Sequence, residues 1–194
     1  MNSQFPLIVH AATGLLAGAR QVLSPHADQR PSGVNADLIV LHGISLPPGE
    51  FGGPWIEQLF NGHLPPEQHP YFAQIAGRRV SAHALIRRDG QIVQFVPFHL
   101  RAWHAGQSVW EGRSACNDFS IGIELEGADD VRYESVQYVR AAELVRALVA
   151  AYPLLSASRL VGHSDIAPGR KTDPGDAFDW LRMRRALQAD AGAS

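Results

Sequence analysis

The run Leu38-Ile39-Val40-Leu41 constrains this chain more than any other stretch, because four bulky aliphatic residues in succession leave no polar face. A strand of that pattern is buried on both sides, so the sheet that holds it needs a covering layer above and below. Read over residues 37–42, the strand ends on His42 and delivers an imidazole to a sheet edge. A second run, Phe119-Ser120-Ile121-Gly122-Ile123-Glu124-Leu125-Glu126, reads as another central strand. Its glutamates are out of keeping with that setting, since an acid set among Ile121, Ile123 and Leu125 is costly to bury without a purpose.

The rest of the chain supplies the covering layers. Residues 82–87 and 91–96 flank Arg88-Asp89-Gly90, an antiparallel hairpin signal in which both central turn residues are expected to tolerate positive φ. Residues 135–151 place Tyr138, Ala141, Ala142, Val145, Leu148 and Val149 at helical spacing, giving an amphipathic helix over the sheet. A short helix is expected over 55–60, opened by Pro54 and closed by Asn61-Gly62. Another is expected over 13–22. A brief strand over 160–162 ends at His163, and a last helix over 177–187, capped by Asp176, is expected to turn Phe178, Leu181 and Leu187 inward. Strands mixed with helices around one antiparallel hairpin predict an α/β (α+β) domain with a central mixed sheet flanked by helices.

Composition narrows the function classes. At 194 residues, with 45% hydrophobic and 19% charged residues, the chain fits one globular domain over 1–194. A net charge of -2 gives no basic footprint for nucleic acid or an anionic membrane. A single cysteine, Cys116, excludes an intrachain disulfide and a cysteine-rich zinc finger, and reads as a small buried side chain. No stretch of about 18 apolar residues is present for a transmembrane helix. The apolar run over 5–19 lacks a preceding Lys or Arg and is broken by His10 and Thr13, so it is a poor secretory signal and a cytoplasmic location is expected.

The chemistry concentrates in Gly162-His163-Ser164-Asp165-Ile166-Ala167-Pro168-Gly169-Arg170-Lys171-Thr172-Asp173-Pro174-Gly175, a turn-rich stretch with one large aliphatic residue. His42 and His163 each follow a short strand, and Asp173 lies ten residues past His163 on a segment long enough to fold back. Two imidazoles and a carboxylate that leave a fourth position open make a catalytic zinc set. Asp165 competes with Asp173, since His163-x-Asp165 is also half of a two-histidine, one-carboxylate iron site. That arrangement expects a later histidine, and none follows His163. Glu124 is the natural base, Glu126 the alternative base or a supporting partner, and Lys171 a candidate for a developing oxyanion. His83 and His104 are candidate pocket residues, whereas His10, His26, His63, His69 and His99 read as surface or loop positions.

These residues carry a family resemblance. The blocks Ser45-Leu46-Pro47-Pro48-Gly49-Glu50-Phe51-Gly52-Gly53-Pro54-Trp55, Ser81-Ala82-His83, Arg101-Ala102-Trp103-His104-Ala105-Gly106 and Cys116-Asn117-Asp118-Phe119-Ser120-Ile121-Gly122-Ile123-Glu124-Leu125-Glu126-Gly127 stand in the right order ahead of the His163 stretch. From about Leu23 to Leu187 the chain resembles the AmpD family of 1,6-anhydro-N-acetylmuramyl-L-alanine amidases, within a zinc amidase superfamily that includes peptidoglycan recognition proteins. The resemblance implies zinc on His42, His163 and Asp173, Glu124 as catalytic carboxylate, Lys171 as oxyanion stabiliser, and Arg79 with Trp103 around the sugar. It also implies a cytoplasmic enzyme of cell-wall recycling that cuts the lactyl–alanine amide of small muropeptides. Two positions depart from the pattern: Gly43 stands where an asparagine is common, and Ala115 where some members carry an arginine. The competing classes are a non-catalytic muropeptide-binding module of the same fold and a non-haem iron oxygenase.

Overall fold

The two strands expected at the centre of the sheet pair with each other. In the computed structural model, which describes residues 7–189, β2 (Leu38–Ile44) and β5 (Ser120–Glu126) run parallel in full register, from Leu38↔Ser120 to Ile44↔Glu126. The sheet around them has six strands in the order β6-β2-β5-β3-β4-β1. Here β1 is Arg20–Gln21, β3 Ala84–Ile86, β4 Ile92–Gln94 and β6 Leu160–Gly162. Strands β6, β2, β5 and β3 are parallel, while β4 turns back antiparallel to β3 and β1 joins its outer edge. The mixed sheet follows from the hairpin, as expected. Its turn differs in detail: Gly90 alone takes positive φ, at 85°, and Gly90 N–H closes the turn on the Arg87 carbonyl.

Alternation along the strands sorts side chains into two layers. One face presents Ile39, Leu41, Ala84, Ile86, Ile121, Ile123 and Leu125 to the helices α3 (Ser135–Ala151) and α5 (Trp180–Gln188). Helix α3 buries Tyr138, Ala141, Ala142, Leu144, Val145 and Leu148 there, each large aliphatic contributing about 1.5–3 kcal/mol on burial. On the opposite face α1 (Trp55–Phe60) and α2 (Pro70–Ile75) cover Leu85 and Val93 with Ile56, Leu59, Phe60, Phe72 and Ile75. Beside them the segment around Ala105, Cys116 and Phe119 packs on Leu38 and Val40. Cys116 is fully buried, in keeping with the reading of it as a small core residue.

Three local expectations are corrected. Residues 13–22 form no helix: Gly14 and Gly18 turn the chain at φ 66° and 79°, and Arg20–Gln21 becomes an edge strand. The last helix starts at Trp180 and is capped by Asp179, whose Oδ1 accepts the Arg182 N–H at 2.8 Å, not by Asp176. Phe178 lies before that helix, buried against Tyr133 and Tyr138. It therefore sets no helical face with Leu181, which is 58% exposed while Met183 is buried. Helix α2 was not anticipated. It is opened by His69, whose Nδ1 accepts the Tyr71 N–H, so a histidine read as idle loop is a cap. Residues 1–6 and 190–194, including the start of the apolar run from Phe5 and the outer limits of the expected domain, lie outside the described residues.

Candidate active site and metal centre

Parallel strands gather their C-terminal ends on one edge of the sheet, and open α/β sheets place ligands there. His42 lies near the end of β2, Glu124 near the end of β5, and His163 directly after β6. Because His42 and Glu124 are register partners on adjacent parallel strands, their side chains share a face. His163 opens a single helical turn, α4 (His163–Ile166). The chain then folds back until the Asp173 carbonyl accepts the Ser164 N–H at 3.0 Å, which returns the Asp173 side chain to His163.

The three candidate ligands converge. His42 Nδ1 and His163 Nδ1 are 2.9 Å apart, and Asp173 Oδ2 lies 3.0 Å from the latter and 3.3 Å from the former. These three side chains also form a group able to hold a metal ion. Burial holds His42 down to about 4, with Asp173 opposing, so its imidazole is neutral. Burial raises the Asp173 carboxyl, and the opposing pull of His163 and His42, which holds it well below the usual carboxylate range, acts only while a ring carries its proton on the facing nitrogen. A neutral imidazole and an ionised carboxylate are the protonation states in which these groups ligate a metal.

The other ring nitrogens decide what the triangle fits. His163 Nε2 is 3.2 Å from the Ala105 carbonyl, which can only accept, so the proton sits on Nε2 and Nδ1 carries a lone pair. With His42 held likewise through its Nε2, 2.9 Å from His104 Nδ1, the facing atoms are lone-pair donors that repel one another unless a cation lies among them. Tetrahedral zinc with ligands at about 2.0–2.1 Å separates them by roughly 3.3 Å, close to what is found. The donor set therefore fits zinc.

Glu124 is 8% exposed, and its Oε2 is buried without a hydrogen-bond partner. Burial, reinforced by the Asp173 carboxylate and opposed by Lys171, pushes its carboxyl well above the usual range. A desolvated, unpartnered acid beside a metal triangle has the character of a proton-transfer group. All of these residues line one cavity of about 580 Å³, together with Gly43, Tyr71, Arg78, Trp103, Asp129, Asp130 and Lys171. Lys171 is exposed, on the segment just before Asp173.

Several sequence-level candidates are placed elsewhere. Asp165 turns away from the triangle, its Oδ2 accepting the Gly162 N–H at 2.7 Å, which removes it from a His163-x-Asp165 iron site. Glu126, on the same face as Glu124, is occupied: it accepts Gly52 N–H at 2.7 Å, Arg88 N–H at 3.2 Å and the Arg87 guanidinium at 3.1 Å, tying the 46–54 loop to the sheet. Arg79 is exposed with its guanidinium 5.2 Å from the ring of Trp103, which lines the cavity, and Arg78 lies at the wall as well. His26, read as a surface residue, is buried and stacks on Trp103, whose Nε1–H donates to Asp28.

Sequence reasoning missed Tyr133. Its hydroxyl donates to the Pro174 carbonyl at 2.9 Å and stands where a Gly43 side chain would begin. Gly43 lines the cavity, so that departure from the family pattern lies at the site, whereas the exposed Ala115 lies outside the cavity wall.

A family model described as N-acetylmuramoyl-L-alanine amidase matches residues 32–176. The chain belongs to that amidase family. Among its relatives, the 1,6-anhydro-N-acetylmuramyl-L-alanine amidase AmpD of Escherichia coli K12 is 61% identical over 171 residues, covering 88% of this chain and 93% of that protein. AmpD of Haemophilus influenzae is 52% identical over 175 residues, covering 90% and 95%. A crystal structure of an Se-Met AmpD derivative aligns with a TM-score of 0.88 at 59% identity, covering 90% of this chain and 97% of that one. The amidase AmiD from E. coli, solved with anhydro-N-acetylmuramic acid-L-Ala-D-gamma-Glu-L-Lys, aligns at 0.57 and 25% identity, covering 93% of this chain and 65% of that one. The amidase fold expected from the sequence is thereby found, and the chain is a hydrolase of this amidase class.

Proposed function

We propose that this chain is a zinc-dependent amidase that hydrolyses the amide between the lactyl group of 1,6-anhydro-N-acetylmuramic acid and L-alanine in small muropeptides, in the cytoplasm, as a step of cell-wall recycling. The observation that carries the reading is the convergence of His42, His163 and Asp173 in one cavity with the buried carboxylate of Glu124. The AmpD relatives named for that activity support the choice of sugar and amide.

His42, His163 and Asp173 would hold zinc, which when bound polarises the scissile carbonyl and lowers the pKa of water. Glu124, desolvated and raised, takes the proton of the attacking water and passes it to the departing alanine amine. Lys171, exposed and lining the same cavity, offsets the charge that develops on the carbonyl oxygen. Trp103 offers an aromatic wall to the sugar, and the Arg79 guanidinium, 5.2 Å from that ring, is the cation beside it. The cavity gives polar and apolar surface in the mixture a sugar-peptide requires. A non-catalytic binding module is disfavoured, since every position of the metal triangle and the base is filled.

The test is incubation with anhydro-muramyl-L-Ala-D-γ-Glu-diaminopimelate and mass detection of the free tripeptide, with and without a chelator. Release that stops on chelation and returns with zinc supports the reading. Intact substrate after prolonged incubation of zinc-replete protein overturns it.

A further inference from the structure

Both imidazoles of the triangle turn their outer nitrogens to one short segment. His42 Nε2 meets His104 Nδ1 at 2.9 Å, and His163 Nε2 meets the Ala105 carbonyl at 3.2 Å, so adjacent residues take the outward bonds of ligands from distant parts of the chain. The hydrogen-bond directions are over-determined. Ser120 Oγ–H donates to the Cys116 carbonyl at 2.6 Å, so its oxygen is free to accept from His104 Nε2 at 3.2 Å. A proton on His104 Nε2 makes its Nδ1 an acceptor, and that acceptor requires the proton of His42 to sit on Nε2. His42 Nδ1 is left bare, facing His163 and Asp173.

The segment itself is clamped. Asn117 Oδ1 accepts the N–H of His104 at 3.1 Å and that of Ala105 at 2.8 Å, and the Arg170 guanidinium donates to the Ala105 carbonyl at 2.7 Å. The strand below makes room for it: a side chain at Gly122 would collide with the His104 ring. A glycine in the middle of a central strand weakens pairing unless something must approach closely, and here the ring does.

We propose that residues 103–106, gripped by Asn117, are the orienting frame of the metal centre, with His104 the positioning residue that fixes His42 in the tautomer presenting Nδ1 to the ion. The proposal rests on the zinc reading above for its consequence, but the frame exists without metal. Outer partners of ligating histidines are worth on the order of 10- to 100-fold in metal affinity.

The experiment compares the parent with His104→Leu and His104→Asn. Leucine fills the space and accepts nothing, whereas asparagine places its Oδ1 the same number of bonds from the backbone as Nδ1 and can still accept from His42. Zinc affinity is measured by chelator competition, and the tautomers of His42 and His163 by ¹⁵N–¹H spectra of histidine-labelled protein with and without zinc. The expected result is Nε2–H on both ligands in the parent even without metal. His104→Leu weakens zinc on the order of 10- to 100-fold and mixes the His42 tautomers while leaving His163 unchanged. His104→Asn stays within a few-fold of the parent.

A metal-free parent with the His42 proton on Nδ1 overturns the proposal, whatever the variants do. So does His104→Leu with parental affinity and parental His42 signals, or His104→Asn as weak as His104→Leu. Should the leucine variant not fold, the parent spectrum and the asparagine variant decide the matter. Absence of zinc binding by the parent would instead defeat the zinc reading, and the tautomer spectra would still test the frame.

Discussion

Glu124→Gln separates what the site does from what it costs. The substitution keeps shape and hydrogen-bonding capacity but removes the ionisable proton, so loss of a general base predicts a fall in turnover of about 10²- to 10⁴-fold with zinc content unchanged. Stability should move the other way. In the metal-free protein burial raises the Glu124 carboxyl well above the ordinary range of a glutamate. A group raised on folding contributes fully below its unfolded pKa and loses that contribution as pH climbs towards the folded value. Between those two values the parent therefore gives up about 1.4 kcal/mol per pH unit relative to the glutamine variant. Urea unfolding in excess chelator at pH 4, 5, 6 and 7 reads this directly, and groups common to both proteins cancel in the difference. The variant should match the parent at pH 4 and be the more stable by pH 7. Parallel stability curves would refute the burial argument, and turnover within tenfold of the parent would refute the assignment of the base.

Chelation should lower the Tm and zinc restore it, with a gain of about 2.7 kcal/mol when free zinc is a hundredfold above its dissociation constant; a Tm indifferent to zinc would count against the triangle. Glu126→Ala leaves Arg87 with one carboxylate and frees Gly52 and Arg88 N–H, so it should cost about 3 kcal/mol in urea unfolding and quicken proteolysis near residues 46–54, without abolishing the metal site. Lys171→Ala, at an exposed position, should leave the Tm within a degree or two of the parent yet lower kcat about 10²-fold, and an unchanged kcat would remove it from the mechanism. The Cys116 thiol, fully buried and raised by that burial, should resist a thiol reagent in native protein and react at the rate of unfolding; rapid native labelling would contradict the packing.

What the chain discloses before folding follows from how far each signal reaches along it. Residues 38–41 announce themselves because a strand without a polar face leaves a local mark, and 119–126 because Ile121, Ile123 and Leu125 alternate with a face on which Glu124 stands out. The stretch from His163 to Asp173 is legible for the opposite reason, as a cluster of acids, bases and turn residues where packing leaves nothing to explain. Helix faces carry a weaker mark: the spacing from Phe178 points Leu181 inward, whereas a turn through Ala177 ends the regular spacing before Trp180 and leaves Leu181 exposed. His69 as a cap is a single contact two residues along the chain, and His26 against Trp103 a single long-range one, and neither has a period.

The frame around His104 was beyond sequence reading for a deeper reason. Half of it is main chain, the carbonyls of Ala105 and Cys116, and a carbonyl has no residue identity. What does carry identity is indirect: Gly122 in the middle of a buried strand, and Asn117 just ahead of it. The glycine reads as a weakness until the ring lying on it is known. Strands β2 and β5 thus do two things at once, burying aliphatic residues on one face and giving up packing on the other to seat two histidines and an acid. Sequence reveals the first through hydrophobic runs, whereas the second becomes visible only when the chain has brought residue 104 back across residue 122.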